Sequence, residues 1–147
     1  MTDKVKGLTF KNYQLRLLYD WLSSEKDKPL LLHGKQARSR NKFFALIEPQ
    51  VNSVDEERIK IATEYSKTKD GKPELDENNS FVFPKEGLDK FNKEYNEVLN
   101  EDFTIDILPS NKETLKEIKE IVLNIDRGFD TNEGKVYDLV CQTFEKL

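Results

Sequence analysis

The stretch that decides the fold is KQARSRNKFFALIEPQVNSVDEERIKIATEYS, at residues 35–66. Its apolar residues recur at spacings of three and four, which is typical of one face of a helix. The positions of this seam are Ala37, Phe44, Ile47, Val51, Val54, Ile61 and Tyr65, with Arg40 and Arg58 in the remaining slots. The pattern predicts a long amphipathic helix of about 30 residues, or roughly 45 Å, as the spine of the fold.

Two properties of this helix remain open at the level of sequence. Pro49 lies inside it and removes one backbone hydrogen bond, so we expect the helix to be kinked or divided there. The seam is short and includes two arginines. It therefore favours packing within its own domain over an intermolecular coiled coil, which stays the alternative.

Shorter elements are predicted before the spine. Helical spacing of apolar residues indicates a helix from Lys11 to about Ser24. The apolar run at residues 30–33 is bracketed by a proline and a glycine, which favours a short strand. Residues 5–10 fit either an edge strand or an irregular lead-in.

After the spine, residues 67–80 are rich in charge, and Asp70-Gly71 signals a turn, so this segment is predicted to be a loop. A short strand is expected at residues 81–83, followed by a helix that ends near Asn100. Between residues 103 and 107 apolar and polar side chains alternate, which indicates the clearest strand in the chain.

The last part of the chain predicts a pair of helices. Ser110 with Glu113 forms a plausible capping box for the first, and Asp130 or Thr131 caps the second. We therefore expect an α+β fold, mostly α, over a single domain of residues 1–147. It should comprise the long kinked helix, a small sheet from residues around 30–33, 81–83 and 103–108, and the C-terminal helical pair. In an alternative arrangement, residues 109–147 form a helical-hairpin appendage.

Composition narrows the class of protein. The chain has 24 basic and 28 acidic residues, well mixed, for a net charge of −4. A dedicated nucleic-acid binder usually has a basic excess, so bulk charge indicates solubility alone. No signal peptide is recognisable, and the apolar runs are too short to span a bilayer. The lone Cys141 lies among apolar residues and is expected to be buried. These features predict a cytoplasmic protein without a membrane association.

Common catalytic motifs are missing from the sequence. His33 is its only histidine, and no nucleophile elbow or phosphate-binding glycine loop is present. The acidic loop at residues 70–77 lacks the spacing of a calcium-binding loop. We therefore expect no enzyme activity, no cofactor and no metal site. His33 is expected to be an ordinary residue at the end of a strand.

One cluster of charge does not fit an ordinary solvated surface. Residues 33–42 contain no acid and carry Lys35, Arg38, Arg40 and Lys42. They coincide with the predicted start of the long helix, where the helix dipole favours anions over cations. Free N–H groups there, with the arginines, would suit a phosphate or a carboxylate of a partner. The alternative is internal pairing with acids such as Glu25 or Asp27.

Several segments also resemble a family of small phage proteins from low-GC hosts that has no assigned activity. They are Phe10-Lys11-Asn12, residues 30–34, residues 37–43, Glu56-Glu57-Arg58, Glu64-Tyr65, the turn at residues 69–71, the helix of residues 91–99 and the strand of residues 103–107. The resemblance covers roughly residues 8–108. It implies a phage origin and carries over no catalytic residue.

The expected function is therefore that of a non-catalytic, phage-encoded protein that acts through protein–protein interaction. It would serve as a component or helper of virion assembly or as a modulator of a host factor, in the host cytoplasm or in the virion. The alternative is a nucleic-acid-associated protein that uses the basic start of the long helix. A homo-oligomer is compatible with either function.

Overall fold

Five helices and four short strands make up the part of the chain that the computed structural model describes, residues 6–23 and 30–147. In chain order they are β1 (Gly7–Lys11), α1 (Asn12–Leu22), α2 (Gly34–Tyr65), β2 (Thr68–Lys69), β3 (Lys72–Pro73), α3 (Lys85–Leu99), β4 (Asp102–Asp106), α4 (Lys112–Leu123) and α5 (Thr131–Glu145). The α+β class with a dominant long helix is confirmed.

Helix α2 runs without a break through Pro49, so the predicted division of the helix is wrong. Pro49 lies on the exposed side, where water can bond the carbonyl group that the proline leaves free. Other parts of the same chain cover the seam, since Ile47, Val51 and Val54 are among its buried residues. It is therefore not available for an intermolecular coiled coil. Phe43 takes the buried position that the spacing assigned to Phe44.

The larger sheet is a pair of antiparallel strands, β1 and β4, in which Leu8 lies opposite Ile105 and Phe10 opposite Phe103. The strand predicted at residues 103–108 is confirmed, and the segment at residues 5–10 proves to contain its partner. The other two predicted strands are wrong. Residues 30–32 are irregular and His33 caps α2, while the 81–83 segment makes only one bridge, between Leu75 and Phe81.

One hydrophobic core gathers 17 buried residues of the described chain, and none of them comes from residues 52–102. The core is built by β1, α1, the first half of α2, β4, α4 and α5. We call this part the head, and we call residues 54–99 the arm. The largest fully buried side chains of the head are Phe10, Phe43, Phe144, Leu8, Leu15, Leu18, Leu22, Ile47, Leu115, Ile118, Val122 and Val140.

Residues 109–147 belong to this same core, since α4 and α5 supply several of its buried side chains. The N-cap position of α4 is Asn111 and not Ser110. The Asn111 side chain makes no capping bond to the helix; it accepts from the Leu108 N–H and donates to the Asp106 carbonyl, each at 2.8 Å, which holds the loop before α4. Asp130 caps α5 as predicted, and its carboxylate accepts from the Glu133 N–H at 2.8 Å.

The arm is formed by the second half of α2, the β2–β3 hairpin and α3. The hairpin turns at Asp70 and Gly71, which have φ values of 55° and 76°, the left-handed pair that a tight two-residue hairpin requires. Helix α3 then packs against the end of α2, and a Cβ at Gly87 would collide with the Tyr65 carbonyl oxygen. At the C-terminal end of α3, the Val98 carbonyl accepts a hydrogen bond from the Asn12 side chain at 2.7 Å, and this bond connects the arm to the head.

Candidate functional site

The four basic residues at the start of α2 do not form one site. Lys35, Arg38 and Lys42 are spaced by three and four residues and are exposed on one face of the helix. Arg40 is two residues from both Arg38 and Lys42, which turns it to the opposite side, and it is half-buried. The structure therefore separates one structural arginine from three surface residues.

Arg40 joins the two segments that flank residues 24–29. Its Nη1 donates to the Leu22 carbonyl at 3.2 Å and to the Leu30 carbonyl at 3.3 Å. These bonds hold the end of α1 beside the start of α2, so this guanidinium is committed to stability. No sequence pattern indicates this role, because the acceptors are backbone carbonyl groups, which any residue type supplies.

We call Lys35, Arg38 and Lys42 the basic face. Lys35 Nζ lies 3.9 Å from Glu117 Oε2, but with 87% of its side chain exposed this pair is weak. Arg38 and Lys42 make no hydrogen bond or ion pair with any residue that the structure describes. Glu25 and Asp27, the internal partners that the sequence suggested, lie outside the described residues.

A second candidate surface lies on the arm. The rings of Phe81, Phe83, Phe91 and Tyr95 follow one another with centroid distances of 6.3, 5.0 and 5.5 Å. All four side chains are half-buried. We call this row the aromatic strip.

Two exposed leucines extend the aromatic strip. Leu75 is bridged to Phe81 and is 49% exposed, and Leu88, one helical turn before Phe91, is 43% exposed. A continuous run of aromatic and aliphatic side chains open to water is unusual on a surface unless something binds there. The arm therefore carries the largest connected set of open apolar side chains that we identify in the described chain.

The aromatic strip stays open because the arm has too few apolar partners. Gly87 is the only fully buried residue of α3. Tyr95 and Leu99 reach Val51 and Val54 of α2 around a cavity of about 30 Å³, room for little more than water. The rest of the apolar stripe of α3 has no such cover.

The sequence carried one sign that this surface is not fully covered. Arg58 lies in a seam position of α2, where a helix packed against α3 would need an apolar residue. In the structure Arg58 is half-buried, and the buried side chains of this half of α2 are Val54, Ile61 and Ala62.

The charge of the protein is unevenly divided between its two parts. Residues 54–99 contain 12 acidic and 8 basic side chains, a net charge of −4 that equals that of the whole chain, so the remainder is balanced. Acids border both ends of the aromatic strip: Glu74, Asp76 and Glu77 surround Leu75, and Glu94 precedes Tyr95. Hydrogen bonding to Glu94 raises the pKa of Tyr65 at the end of α2.

Groups with catalytic potential are isolated or buried within the described residues. His33 is exposed at the N-cap of α2, and no group of three or more His, Cys, Asp or Glu side chains there is arranged to hold a metal ion. Cys141 is buried as predicted, and burial raises the pKa of its thiol, which keeps it protonated. Among the helices of residues 6–23 and 30–147, none has the length and apolar character to cross a membrane.

Comparison of the chain with models of protein families, with curated proteins and with solved structures found no match. Two surfaces of the described chain are candidates for binding, the basic face of the head and the aromatic strip of the arm.

Proposed function

We propose that the protein acts by binding another protein, and that the aromatic strip of the arm makes the contact. The observation that carries this proposal is the unbroken row of four half-buried rings, flanked by Leu75 and Leu88, in a part of the chain that contributes nothing to the core. Aromatic side chains supply large contact areas at low entropic cost and dominate the energetics of most protein interfaces.

The rings of the aromatic strip are held in place by the arm itself, and this also suits a binding role. Phe91 and Tyr95 are held on a helix, and Phe83 is stacked on Phe91 at 5.0 Å, so the rings are positioned before a partner arrives. Pre-positioned anchors lower the entropy that binding costs. The exposed parts of these rings offer apolar area, whereas catalysis would need a base or a nucleophile close to a substrate-sized cavity.

The resemblance of residues 8–108 to small phage proteins supports a phage origin for this binding protein. Its partner would then be a phage structural protein or a host factor. Mass spectrometry of purified phage particles separates the two, because a virion component is present in the particles, whereas a modulator is present only in lysates of infected cells, bound to a host protein.

The binding proposal is tested with a photo-crosslinking amino acid placed at position 88 on the arm or at position 139 on the head. Leu88 and Leu139 are a matched pair, 43% and 42% exposed. We expect a specific crosslinked protein from position 88 and none from position 139. The same protein should co-purify with the wild-type chain.

Paired variants then identify the surface. Leu75→Ser with Leu88→Ser should abolish co-purification, while Leu108→Ser with Leu139→Ser, which removes two leucines of similar exposure from the head, should leave it unchanged. The assignment to the arm would be contradicted if both pairs of substitutions reduced co-purification equally, or if neither pair reduced it.

A nucleic-acid function is the competing proposal, and it is favoured by Arg38 and Lys42, which have no partner among the described residues. It predicts retention on heparin or DNA that falls steeply with salt and is lost on Arg38→Ala with Lys42→Ala. The matched control is Lys112→Ala with Lys146→Ala, two exposed lysines on α4 and at the end of α5. Arg40 is not a suitable test residue, because its substitution removes the backbone contacts that hold α1 and α2 together.

A further inference from the structure

We infer that the arm of one copy binds the basic face of a second copy, so that the chain associates head to tail. This inference rests on the proposed binding function of the arm and names its partner. It joins the basic face, in which Arg38 and Lys42 have no partner among the described residues, to the aromatic strip, whose rings are only half-buried.

The first observation is charge complementarity. The arm has a net charge of −4, with acids at both ends of the aromatic strip. The basic face lies in a stretch, residues 33–47, that contains no acid at all. An arm placed against another arm would bring together two like charges of −4, which opposes that pairing, whereas an arm placed against a basic face is attracted to it.

The second observation is an exposed apolar side chain close in sequence to the basic face. Leu31 is 85% exposed, the most open of the large apolar residues described, and it lies four residues before Lys35 in the chain. An apolar side chain that precedes a basic cluster matches an aromatic strip that has carboxylates close to it in the sequence. Arginine and lysine also bind favourably over aromatic rings, as Lys90 does at 6.0 Å from the centroid of the Tyr65 ring.

The position of the two surfaces decides the mode of association. Tyr95, the ring of the strip nearest to the head, lies beside Val51 of α2. Lys42, the nearest residue of the basic face, is nine residues before Val51, or about 14 Å along the helix, beyond the reach of a lysine side chain, so a basic face does not contact the strip of its own molecule. Contacts between unlike surfaces repeat from copy to copy and produce an open chain or a ring.

The test is sedimentation velocity of the purified full chain from about 10 to about 500 µM, in about 50 and about 500 mM salt. We expect oligomers that grow with concentration in low salt. High salt should weaken the association about tenfold, because exposed charge pairs are screened. A wild-type chain that stays monomeric throughout would overturn the inference.

Two variants and their mixture test the head-to-tail geometry. Arg38→Glu with Lys42→Glu removes the basic face, and Leu75→Ser with Leu88→Ser removes the exposed leucines of the arm. Each variant alone should be monomeric. Their equimolar mixture should form a dimer that grows no further, because only one intact arm and one intact basic face remain per pair.

Other outcomes oppose the inference in distinguishable ways. Normal association of the Arg38→Glu, Lys42→Glu variant would indicate contact between arms, and monomers in the mixture would exclude contact between unlike surfaces. Circular dichroism checks that the variants fold, and the milder Leu31→Ser and Leu88→Ala repeat the test on single exposed residues. Lys112→Glu with Lys146→Glu is the charge control and should associate as the wild type does.

Failure of this inference leaves the proposed function testable. A monomeric wild-type chain whose position 88 still crosslinks to a different protein contradicts only the second copy as partner. A crosslink from position 88 to another copy of the chain supports both, and loss of every arm-dependent crosslink contradicts both.

Discussion

The head and the arm both contain clustered aromatic side chains, but they bury them to different extents. In the head, Phe10, Phe43 and Phe144 are fully buried, and the rings of Phe10 and Phe144 lie 5.4 Å apart. In the arm, Phe83 and Phe91 stack at 5.0 Å, yet both keep part of their surface in water. The difference is cover, since α4 and α5 pack over the rings of the head, whereas the arm has no further helix over its rings. Stability is therefore expected to come from the head, and binding from the arm.

The largest effect should come from the core of the head. Phe144→Ala should cost about 3–5 kcal/mol of unfolding free energy, because a fully buried ring is lost and a cavity remains. Phe83→Ala in the arm should cost about 1 kcal/mol, because part of that ring is already in water. Urea unfolding followed by Trp21 fluorescence and by far-ultraviolet circular dichroism measures both, and equal losses would break the comparison.

A smaller effect is expected at the basic cluster. Arg40→Ala should cost about 2 kcal/mol, since two backbone carbonyls lose a charged donor. Arg38→Ala should change the unfolding free energy by no more than about 0.5 kcal/mol, since it has no partner among the described residues. A large loss at Arg38 would show that the basic face serves stability and would remove it as a binding surface.

Next in size is an ion pair of the head. Glu133 Oε1 accepts from Trp21 Nε1 at 2.7 Å and from Arg127 Nη2 at 2.6 Å, with both charged side chains about four-fifths buried, at 23% and 20% exposure. Glu133→Gln should cost about 1–2 kcal/mol because Arg127 loses its counter-charge.

The arm provides the matched control for this pair. Glu57 and Lys60 lie 3.8 Å apart and are 48% and 74% exposed, so Glu57→Gln should cost less than about 0.5 kcal/mol. The ranking is checked by urea midpoints in low and high salt. A salt-sensitive loss at Glu133 would mean that the pair is more open than its burial indicates.

The last effect should appear only in alkali. Burial raises the pKa of Tyr137 to about 12, and its hydroxyl donates to the Val122 carbonyl at 2.6 Å. The folded state therefore keeps this proton while the unfolded state, with an ordinary pKa of 10.0, releases it. The stability that the raised pKa provides is complete below pH 10 and is lost as the pH rises towards 12.

Tyr65 is the counterpart in the arm, and its pKa is raised chiefly by hydrogen bonding to Glu94. Tyr137→Phe should flatten the decline in unfolding free energy between about pH 9 and about pH 11, whereas Tyr65→Phe, at an open site, should leave the slope almost unchanged. The slope is the quantity to measure, because Tyr137→Phe also removes a hydrogen bond at every pH. Equal slopes for Tyr137→Phe and the wild type would contradict the prediction.

Much of the local structure was predictable from the sequence. The period of the apolar residues identified α2, alternation identified β4, and Asp70-Gly71 and Asp130 identified a turn and a cap. Each of these depends on interactions within a few residues, which a sequence pattern records directly. Some errors were local, at Pro49 and at the cap of α4, but those that changed the architecture were non-local: β4 pairs with β1 across most of the chain, and the leucine run at residues 30–32 is not a strand.

The candidate site shows the same division. The sequence by itself determined that four basic side chains stand at the start of a long helix and that α3 has an aromatic face. Only the tertiary structure decided that Arg40 is bound to the Leu22 and Leu30 carbonyls while Arg38 and Lys42 are open, and that the face of α3 lacks a cover. The physical reason is that periodicity marks which side of a helix is apolar, but burial depends on whether a distant element packs against that side.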